Sequence, residues 1–85
     1  MSTLERLRAL LQRELEVPAD ALQPQATLEG LGIDSLHMIE LVFTIEDEFK
    51  IAVHAEPAEL RERLKTLGDL AGYIDELLAA RPAPP

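Results

Sequence analysis

The stretch LGIDSLHMIELVFTIEDEF, residues 31–49, decides how this chain is read. Asp34 offers a side-chain acceptor to the first turn of a helix, and the sixteen residues from Ser35 to Lys50 contain neither proline nor glycine. Leu36, Ile39, Phe43 and Phe49, with Met38, Val42 and Ile45 beside them, recur at helical spacing as a broad apolar stripe. The spacing therefore predicts a helix over about 35–50 whose aromatic Phe43 belongs to the core. His37, Glu40, Thr44, Asp47 and Glu48, three or four positions apart, give the same helix a polar and mostly acidic face.

Three further helices follow on either side. Ser2 and Glu5 form a capping-box pair ahead of Leu4, Leu7, Leu11 and Leu15, so a first helix spans about 3–16 and stops before Pro18. Residues 18–33 contain Pro24, Gly30 and Gly32 and no sustained period, and Leu22, Leu28, Leu31 and Ile33 anchor them as a long, pinned loop. Loops of that length without structure of their own tend to be functional. After the helix at 35–50, IAVHAE at residues 51–56 has no partner strand and reads as a connector. Pro57 suits the first turn of a short third helix with Leu60 and Leu64 facing inward. Thr66 and Asp69 repeat the capping-box spacing before Leu67, Leu70, Ala71, Ile74, Leu77 and Leu78, the fourth helix. The expected fold is all-α: a small four-helix bundle of three longer helices and one short one, with a long loop between helices one and two. Residues 1–80 form the domain, and the Pro/Ala segment 81–85 is expected to be a flexible tail.

Composition narrows the function. Sixteen acidic residues against eight basic ones give a formal net charge of -8, which disfavours nucleic acid and anionic membrane surfaces. The charge is uneven, because residues 1–16 and 51–65 each balance three acids with three bases, whereas residues 34–50 hold five acids and Lys50 alone. No run approaches the roughly 20 apolar residues of a membrane span, and the start MSTLERLRAL lacks the pattern of a secretory leader. Without cysteine there is neither a disulfide framework nor a thiolate metal site, and a cytoplasmic monomer is expected.

A catalytic reading needs Ser35 activated by His37 or His54, yet GIDSL lacks the second glycine of a nucleophile elbow and no motif places an acidic third member. A metal reading fails too. The two histidines are seventeen positions apart, and the acidic cluster lacks the alternating spacing and central glycine of a calcium loop. A non-covalent helical interaction module would be served equally well by four amphipathic helices and an acidic face, and only Ser35 discriminates against it.

Leu31-Gly32-Ile33-Asp34-Ser35-Leu36, with Glu46-Asp47-Glu48-Phe49 after it and Lys65-Thr66-Leu67-Gly68-Asp69-Leu70 at the entry to the last helix, closely resembles the acyl carrier protein family. The resemblance implies that Ser35 receives a 4'-phosphopantetheine arm from coenzyme A, with Mg2+ needed only by the transferase, and that acyl intermediates ride on the arm as thioesters. Asp34 supports the attachment, as helix cap, as a help in positioning the transferase's metal, or both. A phosphodiester on a hydroxyl at a helix start would lie near backbone N–H groups and the positive end of the helix dipole. Gly32 frees the approaching backbone, and Ile33 and Leu36 are expected to pin the turn so that the hydroxyl faces outward.

Glu40 and Asp47, then Glu46 and Glu48, with Leu36 and His37, are the residues expected to meet partners. Those the resemblance implies are phosphopantetheinyl transferase and the acyl-loading, condensing and acyl-transfer enzymes of fatty-acid or polyketide synthesis, all with basic docking surfaces. The chain itself would catalyse nothing. His37 and Gly30 stand where the family often has acids, and Phe43 where an aliphatic side chain is frequent. Leu41, Ile45 and Leu70 leave the interior apolar enough for an acyl chain. A carrier of amino acids or peptides uses the same fold and arm, and the acidic balance of this chain lies nearer the acyl carriers.

Overall fold

The computed structural model describes residues 2–80, so the segment 81–85 read as a tail lies outside the described residues. Four helices follow in order: α1 (Thr3–Leu15), α2 (Ser35–Phe49), α3 (Pro57–Arg63) and α4 (Leu67–Ala80). There is no named strand among the described residues, and the molecule has a radius of gyration of 12.2 Å. The all-α reading and the four helical segments agree with this architecture. α1 packs on α4 and α2 on α3.

Local chemistry sets the ends. Ser2 Oγ accepts the Glu5 amide at 3.1 Å and starts α1, while Glu16, at φ 54°, turns the chain out of it. Lys50 does the same for α2 at φ 56°, its amide donating to the Glu46 carbonyl. At the head of α4 the capping box is reciprocal: Thr66 Oγ1 accepts the Asp69 amide and Asp69 Oδ2 accepts the Thr66 amide, each at 3.1 Å.

The core is a single apolar cluster with no buried polar or charged residue among those described. Leu7, Leu10 and Leu11 of α1, Met38, Leu41, Ile45 and Phe49 of α2, Leu60 of α3, Leu64 after it, and Leu67, Leu70 and Ile74 of α4 are all buried in it. Arg6 lies with its guanidinium carbon 4.4 Å from the centre of the Phe49 ring and donates to the Glu48 carbonyl at 3.0 Å, tying α1 to the end of α2.

The long connection is more ordered than its sequence suggests. A 3-10 turn at Ala19–Ala21 interrupts it, and Leu22, Leu28 and Ile33 are buried. Thr27 pairs with Thr66 in an isolated antiparallel bridge. Around it Leu28 donates to the Lys65 carbonyl, Leu67 to Ala26 and Gly68 to Pro24, at 2.8–2.9 Å. Amide groups at the start of α4, which a helix cannot satisfy internally, thus find acceptors in the loop. The loop is thereby fastened to the α3–α4 junction. The connector 51–56 carries no strand, and Val53 donates its amide to Glu46 Oε2 at 2.9 Å.

Candidate functional site

Ser35 is the first residue of α2 and is exposed. The turn before it is built by backbone geometry. Gly32 sits at φ +81°, a conformation that side-chain-bearing residues rarely adopt, and its amide donates to the Glu29 carbonyl. The chain then reverses, so that the Ile33 amide returns to the Leu28 carbonyl at 3.0 Å and the Ile33 side chain is buried. From that anchor Asp34 and Ser35 emerge at the surface. Ile33 pins the turn as expected, but Leu36 does not, since it is 63 % exposed.

Asp34 caps α2 through one oxygen. Its Oδ1 accepts the His37 amide at 2.9 Å and faces His37 Nδ1 at 2.8 Å. The amide of His37 and then its ring, both favouring the ionised form, hold the Asp34 carboxyl below the usual carboxylate range. Asp69 is lowered for the same reason by the amides of Thr66 and Lys65. The positive end of α2 is therefore already faced by a carboxylate, so a phosphodiester on Ser35 does not have that end to itself. His37 turns toward Asp34 instead of standing as an isolated group on the outer face.

The apolar residues of α2 divide in two. Met38, Leu41, Ile45 and Phe49 are buried, whereas Leu36, Ile39 and Phe43 are 63 %, 41 % and 66 % exposed. Phe43 is thus a surface aromatic and not the core residue its sequence position suggested. The reason is angular: at 100° per residue Leu36 and Phe43 lie opposite the Met38–Leu41–Ile45–Phe49 line, and one helix turned toward α1 and α3 has no room for a stripe that wide.

The acidic residues also separate. Glu40 and Asp47 are exposed and form no ion pair among the described residues. Glu46 is half-buried and holds the connector through Val53. Glu48 Oε2 lies 4.0 Å from Arg13 Nη2, on the side of α1. The outer face of α2 is therefore Leu36, Glu40, Phe43 and Asp47, alternating apolar and acidic. Their i, i+4, i+7, i+11 spacing was the signal for a second stripe, but it was masked by the richer apolar pattern beside it.

A cavity of about 340 Å³ adjoins Ser35, between the loop at Thr27–Glu29 and α3. The exposed hydroxyl, the open turn and this adjoining space fit a long arm carried on a serine. Among the described residues there is no group of histidine, cysteine, aspartate or glutamate able to hold a metal ion, and no helix is long and apolar enough to cross a membrane.

Comparison with known proteins places this geometry. The family profile described as "Phosphopantetheine attachment site" matches residues 5–74, which takes in most of α1, the loop, the Ser35 turn, α2, α3 and the first half of α4. The acyl carrier protein of Helicobacter hepaticus is 36 % identical over 76 residues, covering 88 % of this chain and 96 % of that protein. A domain of this kind carries 4'-phosphopantetheine as its prosthetic group. With a helical bundle of the expected order, a serine exposed at the head of α2, and a match over most of its length, the chain belongs to the acyl carrier protein family.

Proposed function

We propose that Ser35 is the attachment point and that the chain is a cytoplasmic, monomeric carrier of acyl intermediates for fatty-acid, polyketide or related synthesis, without turnover of its own. The observation that carries this reading is Ser35 itself: exposed, first in α2, and raised above the core by the Gly32–Ile33 turn. A transferase using coenzyme A and Mg2+ joins the arm to Ser35 through a phosphodiester: the serine oxygen bonds to the phosphorus of the 4'-phosphopantetheine, the coenzyme's pyrophosphate bond breaks, adenosine 3',5'-bisphosphate leaves and the hydroxyl proton is released. Once attached, the arm supplies a terminal thiol that holds an acyl group as a thioester, with an electrophilic carbonyl and an acidic α-carbon.

The chain's own residues orient and present. Asp34 caps α2 and fixes the register of Ser35 at its head. Glu40 and Asp47 steer basic partners, and Leu36 and Phe43 supply the apolar contact once a partner has arrived. Condensing, loading and transfer enzymes then gain from position, since the carrier converts a bimolecular encounter into a local one.

Intact mass spectrometry after incubation with coenzyme A and a broad-specificity transferase tests the reading. Wild type should gain one phosphopantetheine and Ser35→Ala none. A wild type that stays unmodified, or an alanine variant that gains the same mass, overturns it.

A further inference from the structure

The cavity beside Ser35 is not lined by the attachment motif alone. Arg61 and Lys65 reach it from the α3 side, twenty-six and thirty positions along the chain from Ser35. Arg61 is half-buried, and its Nε donates to the Ile33 carbonyl at 3.2 Å, two residues before the serine. That bond fixes the guanidinium against the attachment turn while, among the described residues, only one of its five N–H groups is used. Neither Arg61 nor Lys65 has a carboxylate within ion-pair distance among the described residues, although the protein carries twice as many acids as bases. Glu29 and Glu62 line the same cavity.

These observations meet a charge problem at the head of α2. The end of the helix is faced by the Asp34 carboxylate, so an anion placed on Ser35 needs positive charge from elsewhere. Cations without an ion pair among the described residues of an acidic molecule, one of them fastened to the turn that carries the anion, supply it. The carboxylates of Glu29 and Glu62 are wrong for a phosphate but right as acceptors for amide N–H groups, which follow the phosphate along the arm. At about 340 Å³ the cavity is at the small end of the range for ligand sites.

We propose that this cavity is a resting groove for the prosthetic arm, in which Arg61 and Lys65 hold the phosphodiester and the arm's amides lie between the Thr27–Glu29 loop and α3. The arm is tethered at the groove, so its local concentration is high and weak charge-assisted contacts suffice to populate the docked state. Docking remains shallow enough for a partner enzyme to draw the arm out. The inference rests on attachment at Ser35.

The test begins with holo protein whose single added mass is verified, so a failure of attachment is seen as such before the groove is examined. Amide spectra of 15N-labelled apo and holo forms are then compared. Docking predicts shift changes at Thr27–Glu29 and Ala58–Lys65 in addition to those at Asp34–His37, and a loss of the distal changes near 1 M salt, where screening acts over about 3 Å. Arg61→Gln and Lys65→Gln should each at least halve the distal changes, and the double variant should remove them while still accepting the arm. If Arg61→Gln disturbs the apo spectrum through its Ile33 contact, the exposed Lys65 carries the comparison alone. Changes confined to residues 34–37 in wild type would mean that the arm extends into solvent, and distal changes unaltered in the variants would mean that Arg61 and Lys65 do not hold its phosphodiester; either result overturns the proposal.

Discussion

Asp69 shows how much one exposed carboxylate organises here. Its Oδ2 accepts the amides of Lys65 and Thr66, both at 3.1 Å, so the head of α4 depends on its charge. Its folded-state pKa is lowered, so the stability it contributes is complete above the unfolded aspartate value of about 4 and is lost as pH falls through the lower folded value. Asp69→Asn should accordingly lower the unfolding midpoint at neutral pH, and the gap from wild type should close below about pH 4. Thermal unfolding followed across pH checks this, and a gap that persists in acid would assign the effect to shape instead of charge. Gly32 is the second decisive position. An added Cβ would meet nothing within 4 Å, so only the backbone at φ +81° resists it. Gly32→Ala should cost about 1–2 kcal/mol in denaturant unfolding, the penalty for a left-handed residue bearing a Cβ. The glycine itself was legible as a breaker in the sequence, but not the sign of its φ, which depends on how the loop folds back onto Leu28.

On the scale of the element, α2 divides its work between its two sides. Phe49, 2 % exposed, belongs to the core, whereas Phe43, 66 % exposed, does not. Phe49→Ala should therefore destabilise by about 3–5 kcal/mol, with further loss from the Arg6 guanidinium above the ring. Phe43→Ala and Leu36→Ala should change stability by no more than about 0.5 kcal/mol. Their cost should appear in function: removing an apolar contact worth about 1.4 kcal/mol from a partner interface weakens it about tenfold. Parallel chemical denaturation and transferase kinetics separate the two effects. A Phe43→Ala protein as unstable as Phe49→Ala would return Phe43 to the core. The existence and length of α2 follow from local pattern, because a cap and an uninterrupted run are both encoded nearby, whereas its αL exit at Lys50 carries no glycine or asparagine to announce it. Which apolar residues it buries is a matter of what lies across from it, and the eight apolar residues of its sequence do not say.

For the whole molecule the relevant quantity is the field. The net charge of -8 is concentrated over α2, and of its acids Glu46 and Glu48 are engaged within the protein while Glu40 and Asp47 face solvent. Steering by exposed charges raises association rates and is screened over about 10 Å at 0.1 M salt. Reversing Glu40 and Asp47 to lysine should slow modification by a basic transferase, and the wild-type rate should fall with salt more steeply than that of the double variant. Rates independent of salt in both proteins would reduce that face to ordinary solvated surface. The same reversal at Glu46 should instead loosen the connector, since its carboxylate holds the Val53 amide.

Much of this protein was determined by sequence alone. Four helices, their caps at Ser2, Asp34 and Thr66–Asp69, the inward Leu60 and Leu64, and the family that residues 31–36 resemble all rest on information carried within a few positions of one another. Helix signals are local because each backbone bond and each cap spans only three or four residues. Tertiary structure decided what depends on partners far along the chain: the seating of the loop on the head of α4, the exposure of Leu36 and Phe43, the engagement of Glu46 and Glu48, and the arrival of Arg61 and Lys65 beside Ser35. No period in the sequence places Arg61 or Lys65 in space beside residue 35. Only the packing of α3 against α2 brings these charges beside the serine hydroxyl, because side-chain contact is set by which faces the core consumes and not by distance along the sequence.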